Sequence, residues 1–173
     1  MLIDLRELLT GRVNDLSVEY KPELEYFDTG VVKYKVLESS TVNFVISTIG
    51  KLRYKITGDG YIRLSIPCDR CLKDTDYRVE YRIDSVFDMN DDAGEEAREE
   101  QDYIDGYNLD ADQLSFGEIL INMPAKVLCK DNCKGLCPVC GADRNSTECG
   151  CDDRVLDPRM SVFKDILNNF KEV

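Results

Sequence analysis

The chain of 173 residues has no histidine and no tryptophan. Without histidine there is no Ser-His-Asp triad, no H-E-x-x-H zinc motif and no Cys-His nucleophile pair. Also missing are the G-x-x-x-x-G-K-[ST] phosphate loop and the G-x-G-x-x-G dinucleotide fingerprint. The adjacent acids Glu95–Glu96 and Glu99–Glu100 fall in a loop-like stretch that gives them no fixed geometry for acid–base work. These absences argue against an enzyme and against a small-molecule substrate. No apolar run approaches the ~18 residues of a membrane span. The opening "MLIDLRELLTG" mixes charges with its leucines and is not a secretory signal. The chain therefore reads as cytoplasmic, a compartment where thiols stay reduced.

Apolar residues make up 43% of the chain and charged residues 32%, enough for a packed core. The net charge of −12 is concentrated in one place. Residues 88–112 hold eleven acids and one base, Arg98, whereas the flanking parts are each at −1. Like charges at that density predict a solvated acidic loop or linker.

Before it, period-two alternation predicts an antiparallel sheet. In "KLRYKI", Leu52, Tyr54 and Ile56 alternate with Lys51, Arg53 and Lys55. "YIRLSI" repeats the pattern, and "TGDG" at Thr57–Gly60 reads as a hairpin turn between the two. Tyr77–Phe87 gives the clearest alternation, and "VVKYKV" and "VNFVIS" add two earlier strands. After the acidic stretch, "LSFGEILINMP" predicts a helix capped by Asp110 or Asp112 and stopped by Pro124. A second helix is expected from Asp157 as N-cap and Pro158 at its first position. Met160, Phe163, Ile166, Leu167 and Phe170 form its apolar stripe. The expected fold is α+β. Residues 1–87 form an antiparallel β lobe and 88–112 the acidic loop. Residues 113–173 form a helical C-terminal part with cysteine zinc knuckles, expected to be compact with the β lobe.

All eight cysteines lie in two stretches: "PCDRCL" and the segment Cys129–Cys151, "CKDNCKGLCPVCGADRNSTECGC". "CPVCG" is a zinc-knuckle half-site. Two thiolates two residues apart can share a tetrahedral ion, and the following Gly141 lets the backbone curl so that amides face the sulfurs. With no histidine, the remaining ligands should be cysteines, and Cys149 and Cys151 are the nearest pair. Cys137, Cys140, Cys149 and Cys151 thus form one expected zinc site. Cys68, Cys71, Cys129 and Cys133 remain as a second set that could hold another zinc ion. A redox role for Cys68-x-x-Cys71 is the alternative, but it calls for a βαβ setting that the surrounding strands do not offer. Four cysteines leave no open coordination position, so such sites scaffold and do not activate water.

The order "PCDRCL", acidic stretch, "CKDNCKGLCPVCGADRN", "CGCD" and "DPR" resembles the YceD-like family, described as large ribosomal RNA subunit accumulation proteins. The resemblance runs from about Thr41 onward. It implies a bacterial cytoplasmic factor for the synthesis, processing or accumulation of large-subunit ribosomal RNA, with no catalytic residues to carry over. The residues add one hint of such a contact. Residues 29–66 hold six bases, Lys33, Lys35, Lys51, Arg53, Lys55 and Arg63, against Glu38 and Asp59. Alternation places several on one sheet face, which could meet ribosomal RNA precursor or a ribosomal protein, with Lys130, Lys134 and Arg144 extending the surface. A protein-interaction module shaped by zinc, without direct RNA contact, is the alternative; a thiol redox protein is a second.

Overall fold

The computed structural model describes residues 1–89 and 101–151. The expected helix from Asp157 and the centre of the acidic stretch lie outside the described residues. The chain divides into two compact units, one comprising Met1–Pro67 and Asp74–Val127, the other Cys68–Lys73 and the chain from Leu128. This differs from a division at 87 and 113 for two physical reasons. The helix after the acidic stretch buries Leu114 and Ile119 in the core of the sheet unit. Cys68 and Cys71 cluster instead with Cys133.

The first unit contains β1 (Leu2–Asp4), α1 (Arg6–Leu9), β2 (Asp15–Tyr20), β3 (Tyr26–Asp28), β4 (Lys33–Ser39) and β5 (Val42–Gly50). It continues with β6 (Arg53–Pro67), β7 (Asp74–Asp88), β8 (Ile104–Asp105), β9 (Asn108–Asp110) and α2 (Ala111–Ile121). Every strand pairing among the described residues is antiparallel. Strand β6 organises the larger sheet. Along one edge it pairs with β7 over its full length, from Arg53 opposite Asp88 to Pro67 opposite Asp74. Its other edge is shared: β5 takes the stretch to Thr57 and β4 the stretch from Ile62 to Ser65. Outside these lie β2 against β5 and β3 against β4.

The β6 geometry overturns the expected turn at Thr57–Gly60. The strand runs straight through "TGDG", with Gly58 opposite Ile83 and Gly60 opposite Tyr81. The glycines serve close approach and not reversal. A Cβ on Gly60 would sit 2.7 Å from Tyr81 Cζ and 2.8 Å from Val42 Cγ2, and one on Gly58 would sit 3.0 Å from Val42 Cγ1. Alternation survives across the segment, so Tyr54, Ile56, Ile62, Leu64 and Ile66 all enter the core from one face. Val79, Tyr81, Ile83 and Phe87 of β7 meet them there, with Val42, Phe44 and Ile46 of β5.

Asp110 is the cap of α2: its side chain accepts from the amides of Asp112 and Gln113. The helix ends at Ile121, before Pro124, where the Asn122 side chain donates to the Glu118 carbonyl. Phe116 packs against Phe27 with the rings tilted and their centroids 4.8 Å apart. The described ends of the 88–112 stretch are also ordered elements. Asp88 belongs to β7, and β8 and β9 form a hairpin about Gly106 (φ +57°) that pairs with β1. Tyr103, Leu109 and Ala111 bury their side chains, which explains why charge density there does not dictate a loop. The described residues thus form mostly antiparallel sheet with few helices and a cysteine-rich C-terminal region. No helix among the described residues is long and apolar enough to cross a membrane.

Candidate metal centres

The second unit is built around sulfur. Cys68-x-x-Cys71 occupies the connection between β6 and β7, closed by the Cys68 amide donating to the Lys73 carbonyl at 2.9 Å and the Leu72 amide to the Cys68 carbonyl at 2.8 Å. Leu72 takes a left-handed conformation (φ +61°), which bends the loop back after the second thiol. Cys129 and Cys133 come from the far segment, where the Cys133 amide donates to the Lys130 carbonyl. The four Sγ atoms lie within 4.8 Å of one another. Cys68 Sγ is 3.8 Å from Cys133 Sγ, and Cys71 Sγ is 3.5 Å from Cys129 Sγ. Cys68, Cys71 and Cys133 are buried and Cys129 is half-buried.

The other set is a short ribbon. Leu136 and Asp143 form an antiparallel bridge. The Cys137 amide donates to the Ala142 carbonyl, and the Gly141 amide returns to the Cys137 carbonyl, both at 2.8 Å. Gly141 has φ +75°, a conformation that a side chain would resist, so the glycine after the second cysteine is what permits the curl. Cys137, Cys140, Cys149 and Cys151 again bring their sulfurs within 4.8 Å of one another. Cys137 is buried, Cys140 is exposed, and Cys149 and Cys151 are half-buried. Gly150 has open space around it and is not left-handed.

The electrostatics of each set are those of crowded thiols. Burial pushes the Cys68 thiol up, but the amides of Cys129, Arg70 and Cys71 outweigh it and bring it down to about 6. The amides of Cys140 and Val139 likewise lower Cys137 to about 6. Cys129, sharing a hydrogen bond with Cys71, is pushed up to about 12, as is Cys151 beside Cys140. Four thiolates cannot all ionise at this spacing unless a cation neutralises them. The dimensions suit one. A metal–sulfur bond of ~2.3 Å gives a tetrahedron with edges of about 3.8 Å. The 3.5 and 3.8 Å separations in the first set match that edge. The structure therefore brings together the two groups of four that the spacing suggests, and each could hold a metal ion.

A family model for YceD, the large ribosomal RNA subunit accumulation protein, matches residues 56–167, which take in both cysteine sets. The chain belongs to the YceD family. Proteins described only as uncharacterized, from Mycobacterium bovis and Mycobacterium tuberculosis, are each 29% identical to it over 102 residues. That match takes in 58% of this YceD-family chain and 49% of theirs, so the chain spans about half the length of the curated relatives it matches. No solved structure matches it significantly.

The basic residues of this YceD-family chain fall into two groups. Lys33 and Lys35 of β4 and Arg53, Lys55 and Arg63 of β6 point to the sheet face opposite the core, and Lys51 lies in the β5–β6 turn. Acids from neighbouring strands share that face. Lys33 pairs with Asp28 at 2.9 Å and Lys55 with Asp84 at 2.8 Å, while Arg63 is held between Glu38 and Asp76. The positive excess counted along residues 29–66 is thus largely offset by neighbouring acids, those of β7 among them. Among the described residues, Lys35, Lys51 and Arg53 make no ion pair. In the second unit Lys130 and Lys134 are both exposed, and Arg144 directs Nη2 at Cys137 Sγ, 3.6 Å away.

Three residues that spacing does not single out also build the second unit. Arg70 donates Nη1 to the Cys133 carbonyl at 2.7 Å, and its own carbonyl accepts from the Leu136 amide at 2.9 Å. Gly135 is left-handed (φ +74°), and a Cβ there would sit 2.8 Å from the Arg70 carbonyl oxygen. Asn145 donates Nδ2 to Cys133 Sγ at 3.4 Å. The one advance signal is the glycine two residues before Cys137, a residue type that tolerates close backbone approach.

Proposed function

We propose that this chain is a non-enzymatic, cytoplasmic accessory factor in the production of large-subunit ribosomal RNA, with zinc in both four-cysteine sets. The observation that carries the reading is the coincidence of the family match with two four-sulfur clusters inside the matched region. Zinc suits an all-cysteine structural site, since it tolerates tetrahedral thiolate ligation and brings no redox chemistry. Once bound, it supplies cross-linking of the chain, and its binding free energy becomes folding free energy. The chain's own residues do the rest. Amides of Cys129, Arg70, Val139 and Cys140 stabilise thiolate charge, and Arg70 ties the hairpin connection to the C-terminal segment. A redox role for Cys68 and Cys71 fits less well, because each makes a close sulfur contact with a cysteine of the other segment.

The contact residues in this reading are Lys35, Lys51 and Arg53 of the outer sheet face, with Lys33, Lys55 and Arg63 beside them; on the second unit, taken by itself, they are Lys130, Lys134 and Arg144. A second reading, a zinc-shaped module that binds a ribosomal protein, is favoured by the ion pairs of Lys33, Lys55 and Arg63. A face of alternating charge recognises another such face better than a phosphate backbone. Depletion of the protein in its host, with quantification of large- against small-subunit ribosomal RNA, tests the common core of both. A selective fall in large-subunit RNA or a rise in its precursor is expected, and an unchanged ratio rejects both. Pull-downs with and without nuclease then separate them: loss of the partner on nuclease treatment supports RNA contact, and retention supports protein contact.

A further inference from the structure

The two cysteine sets meet at one dipeptide. Arg144 Nη2 donates to Cys137 Sγ at 3.6 Å, and the next side chain, Asn145 Nδ2, donates to Cys133 Sγ at 3.4 Å. Each sulfur belongs to a different set, and the two cysteines lie four residues apart. The backbone between them is pinned. Leu136 donates to the Arg70 carbonyl, Arg144 donates its amide to the Gly135 carbonyl at 3.0 Å, and Leu136 bridges Asp143. The Asn145 side chain is oriented in turn. Its Oδ1 accepts from the Lys134 amide at 3.0 Å and its Nδ2 also donates to Asp143 Oδ1 at 2.7 Å.

Donors to a ligating sulfur spread its charge and set metal affinity. Here a single backbone conformation at 143–145 delivers one donor to each set. Ordering that segment around one ion therefore prepares the donor for the other, and the entropy of ordering is spent once. The guanidinium also places a positive charge next to a four-thiolate site whose formal charge with a divalent ion is negative. We propose that Arg144 and Asn145 are positioning residues that couple the two sets into one cooperative metal-loading unit, so that filling either raises the affinity of the other. By linkage the effect is reciprocal. This inference rests on the reading that each set holds a metal ion.

The test uses the full chain, reduced and anaerobic, with cadmium as the probe because its own nuclear resonance gives one signal per occupied set. Cadmium is titrated in competition with a chelator. In the wild-type chain the two signals are expected to rise together. In an Arg144→Ala/Asn145→Ala chain, which keeps all eight ligands, both signals should still appear. They should separate along the titration, with at least one affinity lowered by about tenfold or more. Arg144→Lys should restore part of the coupling by returning the cation, whereas Asn145→Asp should not, since a carboxylate offers the sulfur no donor. Disabling one set with Cys68→Ser/Cys71→Ser should weaken the other by a similar factor. Identical titrations for wild type and the double alanine variant would overturn the coupling while leaving the two metal sites intact. A wild-type chain that binds no cadmium would instead remove the metal reading, and this inference with it.

Discussion

Gly60 and Tyr81 face each other across the β6–β7 ladder, and the tyrosine ring occupies the space that a side chain on Gly60 would need. The ring is locked in the core and Val42 closes the other side, so neither neighbour can swing away at low cost. Gly60→Ala is expected to destabilise the fold by about 1–3 kcal/mol through overpacking. Gly117, inside α2 with nothing within 4 Å of its absent Cβ, gives the opposite expectation. Gly117→Ala should stabilise by about 0.5–1 kcal/mol. Denaturant unfolding of both variants checks the pair of signs.

Alkaline pH should weaken the same core. Burial pushes the Tyr81 hydroxyl up to about 12, against a downward pull from Ser115, and burial likewise raises Tyr20 to about 12. A group whose folded pKa exceeds its unfolded value near ~10 stabilises the fold fully below the unfolded value. That contribution is lost as pH rises through the folded one. Stability is therefore expected to fall between pH about 10 and 12, with Tyr20 and Tyr81 among the tyrosines that ionise late in a spectrophotometric titration. Tyr81→Phe should flatten part of that fall; an unchanged profile would reject the assignment.

How much of this was readable in advance depends on which force sets each element. Tyr77–Phe87 and Val42–Ser47 were legible because one face is core and the other water, which imprints alternation on the sequence. A cap at Asp110 or Asp112 and the Pro124 stop were legible because both are local backbone chemistry, and the structure selects Asp110. β6 was misleading because glycine serves both turns and close packing; the unbroken even-numbered phase from Tyr54 to Ile66 is the signal that favours one long strand. The β8–β9 hairpin was hidden by averaging charge over residues 88–112, although Asp105–Gly106 between Ile104 and Leu109 is a turn pair. β1, β2, β3 and α1 are short, and their buried residues, such as Ile3, Leu8 and Phe27, are fixed by distant partners. The cysteine grouping was legible because ligand spacing is chemical. Arg70 and Asn145 were not, since their roles depend on which sulfurs the fold brings near.

Gly135 tests the packing of the second unit. Alanine there would meet the Arg70 carbonyl and force a side chain into a left-handed conformation. Gly135→Ala is expected to loosen metal retention, read as faster zinc transfer to a chromogenic chelator. The strand signal of the first unit, measured by circular dichroism, should be indistinguishable from wild type. Equal transfer rates would show that the Arg70–Leu136 link does not support the site.

Charge on the outer sheet face should matter unevenly. Reversal of Lys51 and Arg53, which make no ion pair among the described residues, is expected to weaken association with ribosomal particles or RNA. If RNA is the partner, the salt dependence should also become shallower, by about one unit of slope for each phosphate that the altered face no longer neutralises. Arg63→Ala, at a residue already held by Glu38 and Asp76, should have the smaller effect. The reverse ranking would place the binding surface elsewhere.

The direct test of the account is the metal content of the reduced, anaerobically purified protein, by elemental analysis with native mass spectrometry. Two zinc ions per chain are expected, with the cysteines slow to react with a thiol reagent until a chelator is added. Protein that carries no metal and whose thiols react freely from the start would contradict it.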